Sequence, residues 1–134
     1  NQGDGTFKDV VKETVPHTTW FSMGSDIGDL NSDGIMDLFS ADMSGTTHYK
    51  RKISMGSMNA EQNAFLVTAR PPQYMRNALY VGTGTDRFLE AATLAGLDST
   101  DWTWAVKISD FDNDGWQDLV VANGFISAPD TGDL

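Results

Sequence analysis

Asp110-Phe111-Asp112-Asn113-Asp114-Gly115-Trp116-Gln117-Asp118 is the stretch on which the fold turns, and Asp29-Leu30-Asn31-Ser32-Asp33-Gly34-Ile35-Met36-Asp37 repeats its pattern 81 residues earlier. Each has Asp or Asn at positions 1, 3 and 5, Gly at position 6 and Asp at position 9. Oxygens at positions 1, 3 and 5 of a tight loop converge on one point. Glycine permits the sharp turn that follows, the carbonyl of position 7 faces the same point, and position 9 closes the site. A cluster made only of oxygen suits calcium, which takes six to eight such ligands at ~2.3–2.6 Å in a flexible shell. Magnesium demands a stricter octahedron with retained waters, and zinc or copper would prefer nitrogen or sulfur.

The pattern begins like an EF-hand and departs from it. An EF-hand closes with a bidentate Glu at position 12 between two helices. Here position 12 is Ser40 in one loop and Val121 in the other, and apolar, strand-like segments flank both. Without a cation, the seven carboxylates in the two loops repel one another and oppose folding. A pair of calcium ions would offset four of the ten net negative charges.

The likeness extends beyond the loops. Laid over residues 84–123, residues 3–42 match at ten of 40 positions, and five of the ten fall within residues 29–38. Around the loops the pattern predicts strands over 7–11, 20–28, 36–42, 78–82, 87–91, 103–109 and 117–123. Residues 43–76 have no counterpart in the second copy and read as an insert. Within it, 58–66 suits a short helix and 65–69 an extra strand, with Arg70-Pro71-Pro72 ending either. The organisation is one module: repeat one 3–42, insert 43–76, strands over 78–91, repeat two 84–123 and a tail 124–134.

Composition narrows the function. The 134 residues carry nine Lys+Arg against 19 Asp+Glu, and sixteen of those acids are Asp. Asp favours turns, caps and metal loops over exposed helix faces. A net charge of −10 repels a phosphate backbone, so nucleic acid is not an expected partner. No stretch is apolar enough for membrane insertion. There is no cysteine, which removes disulfides and thiolate chemistry and leaves bound metal as the staple for a small secreted domain.

The remaining residues point away from catalysis. His17 and His48 sit beside no Ser or Cys motif and read as surface or turn residues. Lys50-Arg51-Lys52 reads as a solvated part of the insert. Trp102 and Trp104 alternate along a strand and suit core packing, with a sugar-stacking platform as the rival. Met43, Met55, Met58 and Met75 read as gap-filling residues.

Asn1-Gln2-Gly3-Asp4-Gly5-Thr6-Phe7-Lys8-Asp9-Val10, and the second loop with its run Leu119-Val120-Val121-Ala122-Asn123-Gly124, resemble FG-GAP/VCBS repeats, those of integrin-alpha-type β-propellers. Within them the chain is most similar to the ASPIC/UnbV, cartilage-acidic-protein-like subgroup. The resemblance implies an all-β fold of propeller-type blades, about two repeats, with calcium loops in the blade hairpins and one inserted segment. It implies Ca2+ at two sites. Site one takes Asp29, Asn31, Asp33, Asp37 and the carbonyl of Ile35. Site two takes Asp110, Asp112, Asp114, Asp118 and the carbonyl of Trp116. It also implies an extracellular or cell-surface module for adhesion or assembly, with no enzymatic activity.

Placed on four-stranded blades, 20–28, 36–42, 78–82 and 87–91 make one blade. Segments 103–109 and 117–123 begin the next, and 7–11 is an outer fourth strand. The expected partners are other copies of the chain, joined head to tail by strand exchange with help from 125–134, or further blades of a longer chain. A surface glycan or protein ligand is the other expectation. The alternative function is a non-catalytic carbohydrate-binding or accessory module of a larger secreted protein.

Overall fold

The computed structural model describes residues 1–53 and 60–124. In chain order the elements are α1 (Val11–Thr14), β1 (Thr18–Thr19), β2 (Gly24–Gly28), β3 (Asp37–Ala41), β4 (Met43–Ser44), α2 (His48–Ile53) and α3 (Ala60–Thr68). There follow β5 (Gln73–Tyr74), β6 (Ala78–Gly82), β7 (Phe88–Glu90), β8 (Asp101–Ser109) and β9 (Asp118–Asn123). No described helix is long and apolar enough to cross a membrane.

β2, β3, β6 and β7 form one antiparallel four-stranded sheet in that order. It is the sheet expected from 20–28, 36–42, 78–82 and 87–91. Its central strands are apolar and nearly continuously buried, with Phe39 and Ala41 on β3 and Ala78, Leu79 and Tyr80 on β6. Strands flanked on both sides by others read as such runs, and the outer β2 and β7 are half-exposed. β4, β8 and β9 make a second sheet. The hairpins β2–β3 and β8–β9 share their register pair for pair: Gly24↔Ala41 to Gly28↔Asp37 recurs as Ala105↔Ala122 to Ser109↔Asp118. The core lies where the sheets meet, with Phe39, Ala41, Leu79 and Ala92 packed around Ile108.

The insert leaves β3 through Asp42 and rejoins the sheet at Asn77. Both are fully buried. Asp42 accepts from the backbone N–H of Trp20 (2.7 Å), Phe21 (2.9 Å) and Met43 (2.6 Å), and its own N–H donates to Asn77 Oδ1 at 2.8 Å. Burial pushes the Asp42 carboxyl up from its ordinary value against these N–H donors. Past this pivot, β4 crosses to the second sheet and pairs with β8. Lys50 and Arg51 reach the same sheet's approach, at Asp101 (2.7 Å) and Asp98 (3.6 Å). The basic run is thus engaged by the chain's own acids, at least through these two residues.

Four expectations are corrected. Residues 7–11 form no strand: 7–10 have no ladder, and Val11 opens α1, where Asp9 accepts from its N–H at 3.0 Å. The segment 65–69 is no strand either, because Phe65 to Thr68 continue α3. His17 is buried, not on the surface. Its Nε2 lies 3.1 Å from Glu90 Oε2 and from the Arg76 guanidinium, and Tyr80 Oη donates to its carbonyl at 2.9 Å. Burial raises the Glu90 carboxyl, yet the Ala92 N–H, His17 and the Leu79 N–H together hold it below its ordinary value. Trp104 is no core residue: it is 51% exposed, and its indole N–H donates to the Gly124 carbonyl. A register shift between Thr103 and Ala105 breaks the alternation assumed for the two tryptophans. Met55, Met58 and the tail 125–134 lie outside the described residues.

Candidate metal centres

Both acidic loops close hairpins, the first between β2 and β3 and the second between β8 and β9. Pairing of Gly28 with Asp37 and of Ser109 with Asp118 brings the ends of each loop together. Inside, five hydrogen bonds recur position for position. Asp29 accepts from the N–H of Asp33 (3.0 Å) and Gly34 (2.8 Å), as Asp110 does from Asp114 (3.1 Å) and Gly115 (2.9 Å). Asn31 and Asp112 each accept from the N–H two residues on. Asp33 accepts from Ile35 and Asp114 from Trp116, both at 2.8 Å. Asp37 and Asp118 accept from Leu30 and Phe111, both at 3.0 Å.

The backbone follows the same template. Positions 4 and 6 have positive φ in both loops: 56° and 84° at Ser32 and Gly34, 62° and 93° at Asn113 and Gly115. Asn tolerates that region and Gly is at ease there, whereas Ser32 holds it at a cost of about 1 kcal/mol.

The loops differ in how far they gather their acids. Carboxylate oxygens of Asp110, Asp112 and Asp118 lie within 4.8 Å of one another, and Asp114 stands outside that trio. Among the described residues, Asp29, Asp33 and Asp37 form no such group. Loop one has Asn31 at the position that Asp112 holds in loop two, so the third acid of that trio is replaced by an amide; Asp37 also accepts from the N–H of Gly82 at 2.9 Å with its second oxygen and so is tied to β6. Asn31 meanwhile donates its amide to Asp33 Oδ2 at 3.0 Å. Ile35 packs its side chain toward Gly82 and Gly84, and Trp116 is exposed.

The donor chemistry fits a hard cation. Every expected side-chain ligand is a carboxylate or, at Asn31, an amide oxygen, supplemented by the carbonyls of Ile35 and Trp116. A bound calcium ion would offset two of the three negative charges of loop one, or two of the four of loop two, and tie the two strands of that hairpin together.

Asp26, adjacent to loop one, is not part of it. It accepts from the N–H of Ile108 and from Lys107 Nζ, both at 2.8 Å, and these two contacts hold its carboxyl down to about 2. Lys107 is its mate in the repeat, so the alignment of the chain with itself already carried that signal. The signal for His17, Asp42 and Asn77 is weaker, since their partners are distant in sequence. A cleft of about 320 Å³ lies between residues 12–16, 70–72 and 87–88, and none of its lining residues belongs to either loop.

A model of the FG-GAP-like repeat family matches residues 1–40 and 65–121, well over half of the sequence, and the chain belongs to that family. The break between the matched stretches falls largely within the insert. No curated protein and no solved structure matches the chain.

Proposed function

We propose that the chain is a calcium-stabilised FG-GAP module, extracellular or on the cell surface, that works by adhesion or assembly and not by catalysis. The observation that carries this reading is the coincidence of the two loops, bond for bond, with three carboxylates of the second drawn together. Two acidic loops that fold alike are explained by one shared ligand more simply than by two unrelated turns. Within the family, the quoted phrases favour VCBS-type repeats and the ASPIC/UnbV, cartilage-acidic-protein-like subgroup. The four-stranded sheet supports a propeller blade, and β8–β9 the start of a second.

Calcium binding to the folded state adds directly to folding free energy. Chelation should therefore lower the melting temperature, and added calcium should restore it, at affinities of about 10⁻⁴–10⁻³ M or tighter. A melting curve indifferent to both treatments overturns the metal reading.

A second reading, a carbohydrate-binding accessory module, is favoured by the exposed aromatic side chains of Trp104, Phe111 and Trp116. Glycan-dependent quenching of tryptophan fluorescence would support it.

A further inference from the structure

The cleft of about 320 Å³ is walled by three stretches far apart in sequence, residues 12–16, 70–72 and 87–88. The fold ties those walls to one another. β1 and β5 run parallel, so their approaches, 12–16 and 70–72, arrive side by side. The Thr18 N–H donates to the Pro72 carbonyl at 2.9 Å. His17 follows the first wall directly and is buried, and its Nε2 lies 3.1 Å from Glu90 Oε2 on β7, the strand that Phe88 opens. Phe88 packs edge to face with the buried Tyr80 ring. The cleft is thus built before a ligand arrives, which lowers the ordering cost of binding. Its volume is at the small end of ligand sites and suits a short segment.

Its charge is opposite to that of the chain. Of nine Lys and Arg in a chain of net charge −10, three line this one cleft: Lys12, Arg70 and Arg87. Among the described residues, Glu13 is the one acid in the lining. Four of the other six cations, Lys50, Arg51, Arg76 and Lys107, are paired with the chain's own acids. Among the described residues, the exposed side chains of Lys12 and Arg87 make no ion pair and no hydrogen bond. Arg70 donates to the Ala69 carbonyl at 2.8 Å and adds its charge to the lining. Pro71, Pro72 and Phe88 supply a half-buried apolar floor.

We propose that this cleft binds an acidic peptide segment of a partner protein. Its carboxylates pair with Lys12 and Arg87, and an apolar side chain between them rests on Pro71, Pro72 and Phe88. An acidic glycan fits less well. Lys and Arg offer donors only, the prolines have no N–H, and the Thr14 hydroxyl is spent on the Val10 carbonyl at 3.0 Å. Sugar hydroxyls would therefore find few side-chain acceptors apart from Glu13. The assignment rests on the adhesion part of the proposed function, to which it gives a partner class, and makes no use of calcium.

The test is titration of the full chain, in calcium buffer, with a capped hexapeptide of alternating glutamate and leucine, read by calorimetry and amide NMR shifts. Saturable binding should move the amides of Lys12, Arg87 and Phe88. The same peptide with glutamine for glutamate should bind at least about tenfold more weakly. Lys12→Glu with Arg87→Glu, both at exposed sites, should weaken the acidic peptide by about tenfold or more. Lys12→Gln with Arg87→Gln decides if charge reversal prevents folding. Unmoved cleft amides would overturn the proposal, as would equal affinity of native chain and variant or of the two peptides. An oligomer of uronic acids that binds the cleft more tightly would assign it to a glycan, and cleft amides that shift with chain concentration alone would assign it to a second copy; either result overturns the peptide. A melting curve indifferent to chelation would leave peptide binding intact, and a cleft that binds nothing would leave both metal sites and adhesion through another face intact.

Discussion

Asp42 shows how one side chain can hold a change of direction. The chain turns out of one sheet and into another over this single residue, and three backbone N–H groups converge on its carboxylate. Truncation to Ala would strand those donors in a buried site, each worth about 1 kcal/mol or more, so Asp42→Ala should cost roughly 3 kcal/mol or more in urea unfolding. Asp42→Asn keeps an acceptor and removes the charge whose burial pushes the carboxyl up. It should cost much less than Ala. Equal losses for the two variants would show that packing, not acceptance of those N–H groups, fixes the pivot.

At the scale of elements, the strands that carry the family pattern were legible because their signals are local. The span 78–82 is the observed β6, and the paired hairpins around the loops differ from expectation only at their ends. The loops, as the turns that close the two hairpins, were legible for the same reason, since the spacing of their Asp, Asn and Gly is a property of contiguous residues. What failed was set by partners elsewhere. Residues 7–11 have a strand-like pattern, but no described neighbour offers them a ladder, and Asp9 starts a helical turn instead. Phe65 sits at the junction of two patterns, and the longer helical one wins. His17 looked solvated because its partners, Arg76 and Glu90, are 59 and 73 residues away. The tie of Asp37 to the Gly82 N–H on β6 was likewise illegible, because its partner lies 45 residues on.

Across the whole molecule, the two sheets are joined through Asp26 as well as through the apolar core. The Ile108 N–H and then Lys107 hold this carboxyl at about 2, below its ordinary 3.8. A depressed pKa contributes stability in full above about pH 4 and loses it as pH falls through about 2. In calcium-free buffer, the native chain should lose more stability than Asp26→Asn between pH 5 and pH 2. Parallel pH profiles would show that the contact does not depend on the charge. The central claim remains that both acidic loops hold calcium, and calorimetric titration of the metal-free protein tests it most directly. The account predicts two bound ions per chain, with Asp114→Ala losing one while loop one keeps its own; absence of any calcium heat in the folded native protein would contradict it.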